Sequence, residues 1–280
     1  MSLSPTILSV PAPEGLSARC LEASAVVVSN TPVNGEYRLL VLDAPREALN
    51  CQPGQFFQLL CPAPEGEHPF LRRPMSIYGY DAEAGRLQFL YKVAGAGTRG
   101  LATLRAGDSL NVLGPLGQGF SMPEEWQNLM LVARGVGLAT LAPLAREAQA
   151  RGRRLTAICS ARRPELAMSV ELFRNYGAEV IVVHDEDGSS TPEALRPLIE
   201  ARIAAGQVDA FYTCGSSRLL RLLQDLGRTH GIPGEIAMEQ QMACGLGMCQ
   251  ACVRPFRVGE RVIQRRVCRE GPVFPIAEAM

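Results

Sequence analysis

Lysine is nearly absent from this 280-residue chain. Of its 28 basic residues only Lys92 is a lysine, and we ascribe the arginine preference to codon usage. The 28 acidic residues cancel that charge, so no basic surplus exists to draw nucleic acid or an anionic membrane surface. Histidine occurs only as His68, His184 and His230, at separations that match no metal-ligand spacing. No apolar run reaches the roughly 18 residues needed to cross a bilayer. The start, Met1-Ser2-Leu3-Ser4-Pro5, lacks a basic segment and is followed by Pro11 and Pro13, unlike a signal peptide. No serine nucleophile elbow or zinc-hydrolase pattern is present, and no constellation of carboxylates or lysines suits an organic substrate. Chemistry on such a substrate is therefore expected on another polypeptide.

Cysteine, by contrast, is plentiful: nine residues, an odd number. Cys20, Cys51, Cys61, Cys159 and Cys214 are scattered through apolar surroundings, which suits free thiols in a reducing cytoplasm. The other four follow a rule. Cys244, Cys249 and Cys252 stand at C-x4-C-x2-C, and Cys268 comes later. That is the plant-type ferredoxin spacing for a [2Fe–2S] cluster. Three thiolates must wrap one side of a small inorganic core, and Gly245 and Gly247 permit the tight turns this needs. Zinc is the rival ligand, but structural zinc sites usually combine two short Cys/His pairs, and only one CxxC occurs here.

The texture of the chain divides it into a loose Ser/Pro-rich tail over 1–19, a β-rich region over 20–122, strand–helix alternation over 123–232, and a short cysteine-bearing end over 233–280. Short apolar runs at 25–28, 37–42, 56–60 and 87–93, separated by Gly, Pro and acidic turns, predict an antiparallel β-barrel or sandwich. Strands at 128–133, 155–159, 180–183 and 210–214, with helices at 138–150 and 164–176, predict a Rossmann-like parallel α/β domain. The expected fold is thus multidomain, β plus α/β, with a small C-terminal iron–sulfur domain.

Within the barrel region, Arg73-Pro74-Met75-Ser76 sits in a strand-like run. An arginine there can grip a pyrophosphate bidentately, and a serine three residues on can reach the edge of a flavin ring. Tyr91-Lys92-Val93-Ala94-Gly95-Ala96-Gly97-Thr98 adds glycines that let backbone approach phosphate closely. Taken with PGQFFQL (53–59), FLRRPMSI (70–77), GPLGQGF (114–120), CGLGMCQACV (244–253) and RVCREGPVF (266–274), these motifs resemble the electron-transfer subunits of the two-subunit, NAD-linked dihydroorotate dehydrogenases of the ferredoxin reductase superfamily. The resemblance spans residues of about 20 to 275. It implies FAD contacts by Arg73, Pro74, Met75, Ser76, Leu90, Tyr91, Lys92, Gly97 and Thr98, and cluster ligation by Cys244, Cys249, Cys252 and Cys268. It also implies a heterotetramer with an FMN-bearing dehydrogenase subunit of pyrimidine biosynthesis, with electrons leaving dihydroorotate for NAD through the cluster and FAD.

A nucleotide-binding turn is expected at Arg134-Gly135-Val136-Gly137, between a strand and a helix, where a helix N-terminus receives a pyrophosphate. Superfamily members usually have glycine in place of Arg134 and proline in place of Thr140. Arg134 either adds a phosphate contact or narrows the cleft. Cys214-Gly215-Ser216 resembles the superfamily's Cys-Gly motif, which puts Cys214 near the nicotinamide and makes it, with Ser76, a candidate catalytic residue. After the second strand Arg162 and Arg163 replace an acidic ribose ligand, so the resemblance favours NAD while NADP stays open. Other readings are a ferredoxin reductase-type subunit of another complex, or an assembly subunit that keeps the cluster without nucleotide turnover. Finally, Arg254, Arg257, Arg261, Arg265, Arg266 and Arg269 crowd the stretch around the fourth cysteine against only Glu260 and Glu270. They form either a solvated hairpin or a docking face for an acidic partner.

Overall fold

The computed structural model describes residues 20–280, so the tail expected over 1–19 lies outside the described residues. Seven strands form the first sheet: β1 (Leu21–Pro32), β2 (Tyr37–Asp43), β3 (Phe56–Leu59), β4 (Arg73–Ser76), β5 (Gly79–Asp81), β6 (Arg86–Lys92) and β7 (Ser109–Leu116), in the order β4-β3-β7-β1-β2-β6-β5. All pairings are antiparallel. Alternate residues face inward, as a two-residue period demands: Leu40 and Leu42 on β2, and Leu87, Phe89 and Tyr91 on β6, are all but inaccessible. Two neighbours bond opposite ends of the strand order. Ile77 N–H donates to the Gln55 carbonyl beside β3, and Tyr78 N–H donates to the Gln88 carbonyl on β6. The sheet is thereby drawn into a barrel. One helix, α1 (Ala96–Thr103), follows β6.

The second sheet contains β8 (Asn128–Arg134), β9 (Arg154–Ala161), β10 (Glu179–His184), β11 (Ala210–Cys214) and β12 (Gly234–Ala237), parallel and ordered β10-β9-β8-β11-β12. Strands β8 and β11 are buried almost throughout, which explains their unbroken apolar sequences. The connections are α2 (Gly137–Ala150), α3 (Val170–Asn175), α4 (Pro192–Ala204) and α5 (Ser217–His230). One expected helix is corrected. Residues 164–176 form a 3-10 turn over Pro164–Leu166 and only then α3. Ser169 between them takes a left-handed φ of 63°, and Met168 is buried against Tyr37, Leu90 and Ala139. Docking on the barrel thus interrupts the helix.

After β12 the chain runs through the cysteine loop into a hairpin of β13 (Val253–Val258) and β14 (Arg261–Arg266). A short α6 (Val267–Glu270) follows, and then β15 (Val273–Pro275). β15 pairs antiparallel with β12 and so extends the nucleotide sheet. The C-terminal stretch also returns to the barrel, where Gln118 N–H donates to Gly271 O at 2.6 Å, and Met238 N–H just after β12 donates to Pro272 O at 2.9 Å. One apolar core joins all three regions, with Phe56 and Leu116 from the barrel, Met130 and Phe211 from the parallel sheet, and Met242, Cys252, Phe256 and Cys268 from the end.

Candidate functional site

The four ordered cysteines fall into two pairs. Cys249 N–H approaches Cys244 Sγ at 3.5 Å, and Cys268 N–H approaches Cys252 Sγ at 3.4 Å. Cys244 is half-buried and Cys249 exposed, whereas Cys252 and Cys268 are buried. Among the described residues no three His, Cys, Asp or Glu side chains converge as a single-ion site. Zinc asks for four ligands at one point, while a binuclear cluster takes one thiolate pair per iron, so this arrangement fits [2Fe–2S]. The loop also supplies charge compensation. Burial pushes the Cys244 thiol up, but the N–H groups of Cys249 and Leu246, the latter at 3.3 Å, outweigh it and bring it down to about 6. Gly245 and Gly247 both adopt the positive φ expected of them, 71° and 83°.

A cavity opens where the three regions meet. Its wall comprises Phe56, Pro74, Met75, Ser76 and Leu90 from the barrel, Val136 and Thr140 from the start of α2 and Cys214 from β11 of the parallel sheet, and Ala237–Gln240, Met242 and Pro272 from the end. It continues into a second opening lined by Leu71–Pro74 and Glu239–Met242. Arg73 packs so closely on Gly97 that a Cβ there would stand 2.7 Å from Nε. Strand β4 and the start of α1 are thereby brought together, as a pyrophosphate cradle requires. The Thr98 hydroxyl accepts the N–H groups of Ala94 and Gly95 at 2.9 and 3.0 Å and shapes that turn. Tyr91 is turned the other way. It lies in the barrel core with its hydroxyl donating to Asn30 Oδ1 at 3.0 Å, while Leu90 beside it faces the cavity. Lys92 also points elsewhere, to Glu36 at 2.7 Å.

Glu36 holds Arg162 as well, from across the domain boundary. These two cations keep its carboxyl below the usual carboxylate range, the Lys92 hydrogen bond contributing most. Arg163 is equally exposed and lies near Glu165 and Glu186, at 3.5 and 3.9 Å. Both arginines that left NADP open are therefore faced by carboxylates.

The turn at Arg134–Gly137 lies at the carboxyl ends of β8 and β11, where the strand order reverses direction, the usual crevice for a ligand on such a sheet. Gly137 and Gly215 bring the two loops into contact: a Cβ on Gly137 would meet Cys214 O at 2.5 Å, and one on Gly215 would meet Arg134 O at 2.6 Å. Arg134 leaves this crevice. Its guanidinium bonds Ser160 Oγ at 3.1 Å and both carboxylate oxygens of Asp185, bridging the ends of β8, β9 and β10. Thr140, the other departure from the superfamily pattern, accepts the Cys214 thiol at 3.6 Å. Burial pushes that thiol far up, so Cys214 presents a neutral S–H to the cavity.

Phe56, Glu239 and Met242 were not singled out from the sequence. Phe56 alternates with the core-facing Phe57 and so faces outward from the barrel. It lines the cavity and packs in one cluster with Met242, Cys252 and Cys268. Glu239 meets solvent through the cavity mouth, yet the protein crowded around it pushes its carboxyl up. Of the six arginines near the fourth cysteine, two are structural. Arg265 bonds Glu278 at 2.6 Å and stacks over Phe256 and Phe274, and Arg266 grips Glu270 and the Gly247 carbonyl. Arg269 packs over Gly247 in the cluster loop. Arg257 and Arg261 stay exposed.

Comparison with known proteins agrees with this geometry. A family model described as the iron–sulfur cluster binding domain of dihydroorotate dehydrogenase B matches residues 239–279, and one described as an oxidoreductase FAD-binding domain matches residues 24–120. The chain is 31% identical over 263 residues to the electron transfer subunit of dihydroorotate dehydrogenase B (NAD(+)) from Desulforamulus reducens, covering 92% of this chain and 97% of that one. It is 34% identical over 228 residues to the same subunit from Caldanaerobacter subterraneus, covering 81% and 87%. Among solved structures, the NADH-dependent reduced ferredoxin–NADP oxidoreductase superimposes with a TM-score of 0.76 at 25% identity, covering 92% of this chain and 90% of that one. A ferredoxin–NADP+ reductase from Plasmodium falciparum shares the fold at a TM-score of 0.60 and 14% identity, covering 75% and 90%. With an FAD-binding barrel, a [2Fe–2S]-binding loop and relatives matched along nearly their whole length, this chain belongs to the family of electron transfer subunits of dihydroorotate dehydrogenase B.

Proposed function

We propose that this subunit is an enzyme component that passes electrons between an FMN-containing dihydroorotate dehydrogenase partner and NAD, within a cytoplasmic heterotetramer. The observation that carries the reading is the cavity where Ser76, Cys214 and Met242 face one another across three regions. We take residues 20–122 as the FAD domain, 123–232 as the nucleotide domain and 233–280 as the cluster domain. Bound FAD supplies the exchange between two-electron chemistry with a nicotinamide and one-electron chemistry with an iron–sulfur centre. The chain's own residues do the rest. Arg73, over Gly97 and Thr98, holds the pyrophosphate, and Pro74, Met75 and Leu90 wall the ring. Ser76 offers a hydroxyl at its edge. Gly137 and Gly215 let the two loops close on each other beside Gly135 at the helix N-terminus, where the NAD phosphates would bind, and Cys214 stands as a neutral, uncharged wall near the nicotinamide. Phe56 and Met242 fill the gap to Cys252 and Cys268 and exclude water there. Glu36 neutralises Arg162, which favours NAD over NADP.

The test has two arms. The isolated FAD- and cluster-loaded protein should reduce an artificial dye with NADH, which a purely assembly role would not allow. The tagged protein should also co-purify with an FMN-bearing subunit that oxidises dihydroorotate. Dye reduction without such a partner would place the chain in a different redox complex.

A further inference from the structure

Gln58, on β3, is fully inaccessible, and among the described residues neither its amide nitrogen Nε2 nor its oxygen Oε1 has a hydrogen-bond partner. A carboxamide stripped of water and left unpaired is costly, so buried amides are almost always satisfied. Its surroundings indicate where the partner lies. Gln58 shares the outward face of β3 with Phe56, two residues away, and so faces the C-terminal region and not the barrel core. Its side chain packs directly on Gly245, the residue after the ligand Cys244. A Cβ on Gly245 would stand 2.8 Å from both Gln58 Cγ and Gln58 Nε2. Cys244 Sγ already collects N–H groups from Leu246 and Cys249, the pattern of a sulfur that accepts hydrogen bonds.

We propose that the Gln58 carboxamide donates an N–H from the FAD-binding barrel to a sulfur of the iron–sulfur centre at Cys244 and raises its reduction potential. The reasoning is electrostatic. Reduction adds negative charge to the cluster and its thiolates, and a donor aimed at sulfur stabilises the more negative state. Gln58 is then a positioning residue whose strand, β3, also carries Phe56 into the wall of the flavin cavity. Through that strand the barrel holds the cavity and tunes the centre beyond it.

The test is Gln58→Met, which keeps length and bulk and removes the amide, in protein loaded with FAD and cluster. Redox titration followed by EPR should show the cluster's equilibrium constant for one-electron reduction falling about tenfold, about 59 mV. Iron content and flavin potential should be unchanged. An unaltered cluster potential in iron-replete Gln58→Met overturns the proposal, and so does a shift confined to the flavin. A second measurement decides the matter even where that variant loses its iron. Protein labelled with 15N at glutamine side chains, and carrying Gln250→Ala to silence the neighbouring glutamine, should show 15N hyperfine coupling to the reduced cluster. Absence of that coupling overturns the proposal.

Discussion

Arg134 and Asp185 lie face to face at the carboxyl ends of β8 and β10, with Nη1 donating to Oδ1 at 3.0 Å and Nη2 to Oδ2 at 2.5 Å. With its bond to Ser160 Oγ, the pair commits the Arg134 guanidinium to strapping the ends of three parallel strands together.

The first prediction follows from that strap. Hydrogen bonds from Arg134, then from Ser190, hold the Asp185 carboxyl below the usual aspartate range. A lowered value in the folded state contributes stability above the unfolded value of about 3.9, and that stability is lost as pH falls through the folded value. Asp185→Asn should therefore lower stability at pH 7 by about 0.5–1 kcal/mol, the screened worth of a partly exposed pair. Thermal midpoints of parent and variant should converge as pH drops below 4. A gap that stays constant down to pH 3 would show that charge is not the cause.

Glu36 makes the second. Because it engages Lys92 and Arg162 together, Glu36→Gln should release a cation for a 2′-phosphate. The ratio of kcat/KM for NADPH over NADH should rise about two- to five-fold, from roughly 0.5–1 kcal/mol for an exposed charge pair. Steady-state dye reduction with each nucleotide measures this.

Metal content supplies the third. The two thiolate pairs call for two irons per chain, and zinc should be absent from protein purified without oxygen. Cys249→Ser should abolish the cluster's visible absorbance and EPR signal and leave FAD stoichiometry intact. The cysteine loop and the flavin cradle lie on separate elements, so loss of FAD together with iron would contradict the separation.

Flavin retention is the fourth. If Arg73 holds the FAD pyrophosphate as proposed, Arg73→Ala should weaken FAD binding by roughly 1.5–3 kcal/mol, the worth of a charge-assisted hydrogen bond, a tenfold loss or more by equilibrium dialysis. Ser76→Ala should hold FAD as tightly as the parent and slow flavin reduction by NADH in stopped flow.

The last concerns docking. Arg265 and Arg266 are committed to internal pairs, whereas Arg257 and Arg261 are exposed on the hairpin next to the cluster loop. Leu246 and Met248 of that loop are exposed as well, 39% and 80%. Reversing Arg257 and Arg261 to Glu should slow association with the dehydrogenase partner, most strongly at low salt, because rim charges act on the encounter rate. Surface plasmon resonance at two ionic strengths would detect it, and equal rates at both would leave the hairpin merely solvated.

Features that depend on neighbours in the chain were legible from the sequence. The cysteine spacing over Cys244, Cys249 and Cys252 that marks an iron–sulfur domain, the turns at Gly245 and Gly247, the two-residue period of β2 and β6 and the apolar run of β8 all follow from local backbone geometry and burial, which a short window of residues already encodes. The break at Ser169 escaped because it arises from Met168 docking on the barrel. The same reason governs the site. Arg134, Lys92 and Arg162 read as free cations until folding brings up Asp185, 51 residues from Arg134, and Glu36, 126 residues from Arg162. Tyr91 and Leu90 point to opposite sides of one strand, and only closure of the barrel decides which side holds the cavity. Gln58 resembles any polar residue in a strand until β3 is covered by Gly245. Charge pairing and desolvation are properties of the assembled surroundings, and those surroundings come from distant parts of the chain.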